Sequence, residues 1–127
     1  MSETKDKPKV LLVEDYDELR YAIELLLKES YTVFSSESAK KALAELDRDA
    51  SFQLLLTDFE LRGGDSLDGL EIARTVREKC GDIPVVVITA NSPEMPRMKT
   101  LLAMSNVRLL RKPFSGSDLL KIVSQMV

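Results

Sequence analysis

Charged side chains stand at the ends of apolar runs in three separate parts of the sequence. Glu14 and Asp15 follow one run, Asp58 follows another, and Lys112 with Pro113 closes a third. Short continuous apolar runs predict buried strands, and the carboxyl ends of parallel strands meet at one edge of a sheet. We therefore expect three carboxylates and one ammonium to lie together. Such a group suits a hard divalent cation and could stabilise a phosphoryl group during its transfer.

These residues have ordinary structural explanations when each is taken alone. The acidic pair would begin a helix, Asp58 would make a turn, and a Lys-Pro pair has little meaning by itself. Asp58 also has the chemistry of a nucleophile toward phosphorus, since a carboxylate can form an acyl phosphate. Thr89 would donate a hydroxyl to a phosphoryl oxygen and Ala90 would leave space for it, although a lone Thr is more often an ordinary strand residue. The placement of all of them at the ends of apolar runs favours the chemical explanation.

Five apolar runs alternate with five amphipathic segments along the chain. Continuous apolar strands between amphipathic helices predict a parallel sheet that is covered on both faces and joined by right-handed crossovers. The predicted fold is α/β, a doubly wound five-stranded parallel sheet with five alternating helices. The predicted strands are Val10–Val13, Tyr31–Ser35, Phe52–Thr57, Pro84–Thr89 and Val107–Leu110.

The spacing of apolar residues predicts a helix after each of these strands. The fourth helix is constrained most, because Pro93 and Pro96 fit a helix only at or near its first turn. Ser115 and Asp118 form a capping-box pattern that predicts the start of the last helix. The predicted helices are Asp17–Glu29, a second with an apolar stripe from Ala39 to Leu46, a third from near Leu67 that ends before Gly81, a fourth between Ser92 and Ser105, and a fifth after Ser115.

Length and charge restrict the classes of protein that need to be considered. The 127 residues fit one domain, and we predict a flexible leader at 1–8 followed by a single domain at 9–127. The net charge of −3 gives no bulk attraction to nucleic acid, so direct nucleic-acid binding is not expected. No apolar run approaches the length of a membrane span and the polar start excludes a secretory signal, so membrane insertion is not expected either.

The contents of cysteine and histidine exclude several kinds of site. Cys80 is the single cysteine, so no intrachain disulfide can form, and a cytoplasmic location is expected. The sequence contains no histidine, which excludes His-based zinc sites, Ser-His-Asp triads and an internal phosphohistidine. Any phosphoryl donor must therefore come from another molecule.

The order of these residues resembles the receiver domains of two-component response regulators, the CheY-like family. The resemblance covers 9–127 and rests on the acidic pair, Asp58, Thr89-Ala90 and Lys112-Pro113-Phe114. It implies a flavodoxin-like fold with the receiver topology. It also implies a phosphoacceptor signalling domain that takes part in its own phosphorylation and dephosphorylation and is not a free-standing enzyme.

The same resemblance implies a role for each matching residue. Asp58 would receive a phosphoryl group from a phosphohistidine on a histidine kinase or histidine phosphotransfer protein, with Thr89 and Lys112 as its catalytic partners. In the family, modification draws the Thr inward and rearranges the face formed by helix four, strand five and helix five. The implied cofactor is Mg²⁺, and its implied ligands are Glu14, Asp15, Asp58 and the backbone carbonyl of Glu60.

Three features depart from the family pattern or vary within it. Leu109 stands where many receivers carry a Tyr or Phe that moves with the Thr. The loop from Leu61 to Gly69 is longer than the common turn. This glycine-containing loop is similar to one found in receivers attached to hybrid kinases. Glu60 and Asn91 occupy positions that influence the lifetime of the acyl phosphate in the family. The residues expected to act in switching or modulation are Thr89, Ala90, Asn91 and Leu109.

Two other classes of function remain open at the level of sequence. A receiver-like module that binds partners without phosphorylation is consistent with Leu109 and with the long loop. A flavodoxin-like enzyme would need a phosphate-cradling loop after the first strand. The chain instead has Glu14-Asp15-Tyr16-Asp17 there, which would repel phosphate in the absence of a metal.

Overall fold

A computed structural model describes residues 7–61 and 67–127. Five parallel strands form one sheet in the order β2-β1-β3-β4-β5, and a helix follows each strand. The predicted fold class is confirmed. The strands are β1 (Lys9–Val13), β2 (Thr32–Ser36), β3 (Leu54–Asp58), β4 (Val85–Thr89) and β5 (Val107–Arg111). The helices are α1 (Asp17–Leu27), α2 (Ala39–Arg48), α3 (Gly69–Cys80), α4 (Pro96–Leu102) and α5 (Gly116–Met126).

The sheet separates two layers of apolar core. Leu55 on β3 packs in one layer with side chains of α2, α3 and α4, while its neighbour Leu56 packs in the other with α1 and α5. Both leucines are fully buried, because successive strand residues point to opposite faces and both faces are covered. Because both faces are covered, the central strands contain continuous runs of apolar residues and do not alternate between apolar and polar residues.

Several element boundaries differ from those predicted. α1 ends at Leu27 rather than Glu29, because the N–H groups of Ser30 and Tyr31 both donate to the Leu27 carbonyl and turn the chain into β2. β2 begins one residue later than predicted. β3 includes Asp58 as its last residue, so the carboxylate stands on the strand itself rather than after it.

The third and fourth helices begin where their first residues and caps dictate. α3 starts at Gly69 rather than near Leu67, because the Asp68 side chain accepts hydrogen bonds from the first turn. α4 is only seven residues long and has Pro96 as its first residue, where no N–H is needed. The predicted capping box at Ser115 is present at the start of α5. Part of the long glycine-containing loop, 62–66, lies outside the described residues, as does 1–6 of the predicted leader.

The amino edge of the sheet, opposite the charged strand ends, is held by side chains that span several elements. The Arg77 guanidinium on α3 donates to the carbonyls of Ile83, Ser105 and Asn106, at 2.6 to 3.3 Å. Cys80, the last residue of α3, lies half-buried against the adjoining core layer, and burial raises the pKa of its thiol. These contacts fix the loops that lead into β4 and β5.

Across 7–61 and 67–127, none of the helices combines the length and the apolar character that crossing a bilayer requires.

Candidate functional site

The carboxyl edge of the sheet brings the predicted acidic residues and the predicted lysine together. Glu14 and Asp15 follow β1, Asp58 ends β3, and Lys112 follows β5. One carboxylate oxygen from each acid lies within 4.8 Å of the other two. Lys112 Nζ lies 3.0 Å from Asp58 Oδ2 and 3.4 Å from Glu14 Oε1. In the described part of the chain, this edge therefore holds a cluster of three acids, with the Lys112 ammonium beside Glu14 and Asp58.

A turn immediately after β1 places the adjacent acids at the same site. The Tyr16 N–H donates to Glu14 Oε2 at 3.1 Å, and Arg20 Nη1 donates to the Glu14 carbonyl at 2.9 Å. Arg20 also donates to Asp17 at 2.6 Å and is only 8% exposed. Sequence reasoning missed Arg20 as a support of the site. The signal that could have found it is its position three residues after Asp17, where a helix brings opposite charges together.

Burial and the repulsion between neighbouring acids favour the protonated forms of Glu14 and Asp58. Burial, with the charges of Asp58 and Asp15, raises the pKa of Glu14 from 4.5 to about 7, against the Tyr16 hydrogen bond and the Lys112 charge. Burial also raises the pKa of Asp58, against the hydrogen bond and charge of Lys112. One lysine thus offsets the repulsion among the acids only in part.

Lys112 is held from several directions at once. Its N–H donates to the Thr89 carbonyl at 2.9 Å, which joins the chain after β5 to the end of β4. The Lys112–Pro113 peptide bond is cis. The Lys112 ammonium lies 5.7 Å from the centre of the Tyr16 ring. Burial opposes the charged form, but the hydrogen bond and charge of Asp58 outweigh it and raise the pKa of Lys112.

Thr89 stands at the end of β4 with its hydroxyl engaged by its own loop. The side chain is buried, and its Oγ1 accepts the Asn91 N–H at 2.9 Å. The hydroxyl hydrogen is therefore available to donate to another acceptor. The Asn91 amide in turn donates to the Glu60 carboxylate. Beside Thr89 lies a cleft of about 300 Å³, lined by Asp15, Tyr16, Asp58, Glu60, Ala90, Asn91 and Lys112.

The donor set fits a hard divalent cation. Three carboxylates from two strand ends supply the oxygen ligands that such an ion prefers. Glu14 Oε1 is buried and accepts no hydrogen bond from any residue that the structure describes, although the Lys112 ammonium lies 3.4 Å away. A cation bound there would satisfy this oxygen and relieve the repulsion that raises the pKa of Glu14.

Leu109 lies outside this cluster. It is on β5, partly buried, and packs against the core layer covered by α4. The Glu60 side chain lies at the rim of the cleft rather than among the three clustered carboxylates. Leu109 therefore packs away from the three clustered carboxylates, whereas Glu60 and Asn91 line the cleft.

Comparison with known proteins supplies an independent line of information. The family model described as the response regulator receiver domain matches residues 10–124. The sensor histidine kinase TmoS of Ectopseudomonas mendocina is 36% identical over 124 residues, which cover 96% of this chain and 12% of that protein. The regulatory protein VanR of Enterococcus faecium is 33% identical over 113 residues, which cover 88% of this chain and 46% of that protein.

Solved structures give the same result. The crystal structure of a response regulator receiver protein from Sinorhizobium medicae WSM419 superposes with a TM-score of 0.81 at 26% identity, covering 94% of each chain. The chain spans less than half the length of both curated relatives, at 12% and 46%.

Proposed function

Because the chain belongs to the response regulator receiver domain family, we propose that it is a phosphoacceptor signalling domain of a two-component system, with its domain at 9–127. The observation that carries the proposal is the placement of Asp58, with two other carboxylates and Lys112, in an open cleft at the carboxyl edge of the sheet. A donor molecule would approach Asp58 through this cleft, which Asp58 lines.

The proposed reaction is a transfer of one phosphoryl group from nitrogen to oxygen. A carboxylate oxygen of Asp58 forms a bond to phosphorus, and the phosphorus–nitrogen bond of a phosphohistidine breaks with its electron pair remaining on the imidazole. The donor is a histidine kinase or a histidine phosphotransfer protein, since this chain has no histidine. The chain is the acceptor in this reaction and not a free-standing enzyme, and we place it in the cytoplasm with its donor.

The residues around Asp58 would provide the electrostatic support for transfer. Lys112 donates a hydrogen bond to Asp58, and its ammonium would also stabilise the negative charge on an oxygen of the phosphoryl group. Thr89 would donate its hydroxyl hydrogen to a second oxygen, and Ala90 leaves room beside it. We propose Mg²⁺ as the cofactor, held by Glu14, Asp15, Asp58 and the backbone carbonyl of Glu60. When bound, Mg²⁺ supplies positive charge that neutralises the phosphoryl oxygens.

The proposed output follows from the position of Thr89. A Thr89 side chain that moves toward a phosphoryl group would draw its oxygen away from the Asn91 N–H, which would alter the loop leading into α4. We propose that this biases the face formed by α4, β5 and α5 between two packings, and that an output partner recognises one of them. Ala90, Asn91 and Leu109 would modulate this switch.

The first prediction concerns covalent modification. Incubation with a small acyl-phosphate donor and Mg²⁺ should add one phosphoryl group to the chain, and peptide mapping by mass spectrometry should place it on Asp58. Asp58→Asn should abolish the gain because an amide is a poor nucleophile. Asp82→Asn, which changes an exposed acid after α3, should label like the unmodified sequence. A phosphohistidine-bearing donor protein should give the same modified residue.

A second candidate function is a receiver-like module that binds partners without phosphorylation. The observation that favours it is Leu109, an aliphatic residue packed against the core where an aromatic switch residue is common in the family. Failure of Asp58 to label under every condition, in a folded protein, would favour this alternative.

A further inference from the structure

A bidentate ion pair outside the cleft joins the start of α3 to the first turn of α4. Arg97 Nε donates to Asp68 Oδ2 at 2.6 Å, and Arg97 Nη2 donates to Asp68 Oδ1 at 3.0 Å. Two parallel bonds between a guanidinium and a carboxylate fix orientation as well as distance. The Asp68 side chain is only 20% exposed, so it is partly shielded from solvent. The two helices are therefore joined at a defined relative position.

The Asp68 carboxylate is already fixed by its own helix. Its Oδ1 accepts the N–H groups of Leu70 and Glu71 at 3.1 and 3.2 Å as the N-cap of α3. An anion at this end of a helix is also favoured by the helix dipole. Arg97 therefore binds an acceptor that loses little freedom when the ion pair forms.

The start of α3 is in direct contact with the backbone at Asp58. The Gly69 N–H donates to the Phe59 carbonyl at 2.8 Å. A Cβ at Gly69 would lie 3.0 Å from Phe59 Cα and 3.3 Å from the Asp58 carbonyl oxygen, closer than most Cβ atoms approach a backbone, and glycine avoids this crowding. Asp68 is thus held at a fixed position relative to the proposed phosphoacceptor.

Arg97, the other partner of the ion pair, is connected to Thr89 by the loop that follows β4. The loop after β4 begins with the hydrogen bond from the Asn91 N–H to the Thr89 hydroxyl and ends at Met95, after which Pro96 and Arg97 begin α4. Met98, the next residue of α4, is fully buried. Two segments therefore leave the cleft, one from Asp58 and one from Thr89, and the Asp68–Arg97 pair connects them at their far ends.

We propose that the Asp68–Arg97 ion pair is a latch that holds the first turn of α4 in its unmodified position and opposes the rearrangement that follows phosphorylation. This inference rests on the proposed function. Movement of Thr89 toward a phosphoryl group displaces the segment that ends at Arg97, while the Gly69 contact keeps Asp68 with Asp58. The ion pair is then made in only one of the two states, and such a contact shifts the equilibrium toward that state.

Three single variants separate the latch from general effects on stability. Asp68→Asn removes the charge but keeps a side-chain oxygen that can cap α3. Arg97→Gln removes the other charge. Arg48→Gln is the matched control, because Arg48 pairs with Glu45 at 3.7 Å on α2, a helix that carries neither partner of the latch.

The experiment measures binding of beryllofluoride, a phosphoryl analogue, in the presence of Mg²⁺ by calorimetry, and hydrogen exchange of α4 amides in the unmodified protein. Asp68→Asn and Arg97→Gln should each raise the apparent affinity by about two- to fivefold, the range expected for a partly exposed ion pair. The double variant should equal Arg97→Gln, since the Asp68–Arg97 pair is already lost there. Any small excess of Arg97→Gln over Asp68→Asn would reflect the longer contact of Arg97 with Glu71, at 3.9 Å. Exchange in α4 should be faster in Asp68→Asn, in Arg97→Gln and in the double variant, and Arg48→Gln should match the parent.

The outcomes that overturn the latch are distinct from failure of the proposed function. If the parent binds the analogue and labels on Asp58 but the variants show unchanged or weaker affinity, the latch is wrong and the proposed function stands. If the parent neither binds the analogue nor labels, the proposed function fails and the latch fails with it. Additive effects in the double variant would show that the two residues act through other contacts.

Discussion

Glu14 is the residue at which the electrostatic cost of the site is concentrated. Its side chain is fully buried, and its pKa is raised to about 7 by burial and neighbouring acids. A raised carboxyl pKa means that the folded state binds a proton more tightly than the unfolded chain. The bound proton therefore contributes its full stabilisation at pH values below the pKa of Glu14 in the unfolded chain. This stabilisation is lost as the pH rises through the pKa of Glu14 in the folded protein.

We therefore predict that the metal-free protein loses stability as pH rises from about 4.5 to about 7. The loss should be on the order of 1–3 kcal/mol, with Asp58 contributing in the same direction. Glu14→Gln should reduce this loss, because an amide does not ionise. Urea denaturation at a series of pH values measures the free energy of unfolding directly.

The control for this prediction is Glu18→Gln, which changes an exposed acid on α1 and should leave the pH dependence unaltered. Mg²⁺ should stabilise the parent more at pH 8 than at pH 5, since protons compete for the same oxygens. An equal loss of stability in Glu14→Gln and the parent would assign the pH dependence to other groups.

α3 and α5 both begin with glycine, at Gly69 and Gly116. The surroundings of the two glycines lead us to expect different effects of adding a side chain. At Gly69 a Cβ would meet the backbone of Asp58 and Phe59, whereas at Gly116 it would meet only the Leu26 side chain, at 3.2 Å. Backbone at the end of a central strand cannot move aside without disturbing the sheet. The partly exposed Leu26 side chain can adopt another position.

We predict that Gly69→Ala destabilises the protein by about 1–3 kcal/mol, as expected for overpacking against a rigid neighbour. Gly116→Ala is the matched substitution at the first residue of α5 and should change stability by less than about 0.5 kcal/mol. Thermal and urea unfolding of both variants would check this. Similar losses in the two variants would mean that the Gly69 contact relaxes easily.

The order of the elements and the position of the site could be predicted from the sequence, because strand burial and the sites of ligand binding in parallel sheets follow general rules. The length of α4 could not be predicted from the sequence, because Pro96 permits a helix to begin but does not determine where it ends. The pairing of Arg97 with Asp68 could not be predicted from the sequence either. Asp68 and Arg97 are 29 residues apart, and only tertiary structure brings them together.

The whole molecule consists of two core layers that share one sheet. Leu55 and Leu56 are adjacent on β3, both are fully buried, and they belong to different layers. A central strand that serves both layers leaves neither able to unfold while the other remains intact. The molecule should therefore unfold as one cooperative unit.

We predict that Leu55→Ala and Leu56→Ala each cost about 2–5 kcal/mol and that each lowers a single transition. Unfolding followed by far-ultraviolet circular dichroism and by tyrosine fluorescence should give coincident curves for both variants. Separate transitions in either variant would show that the layers fold independently.

The half-buried position of Cys80 has a practical consequence for spectroscopy. A thiol with a raised pKa carries little thiolate at neutral pH, and the thiolate is the form that alkylating reagents attack. A cysteine introduced at the exposed Lys99 on α4 would therefore react ahead of the native one. A fluorescent or spin label could be attached to the proposed moving helix while Cys80 stays in place.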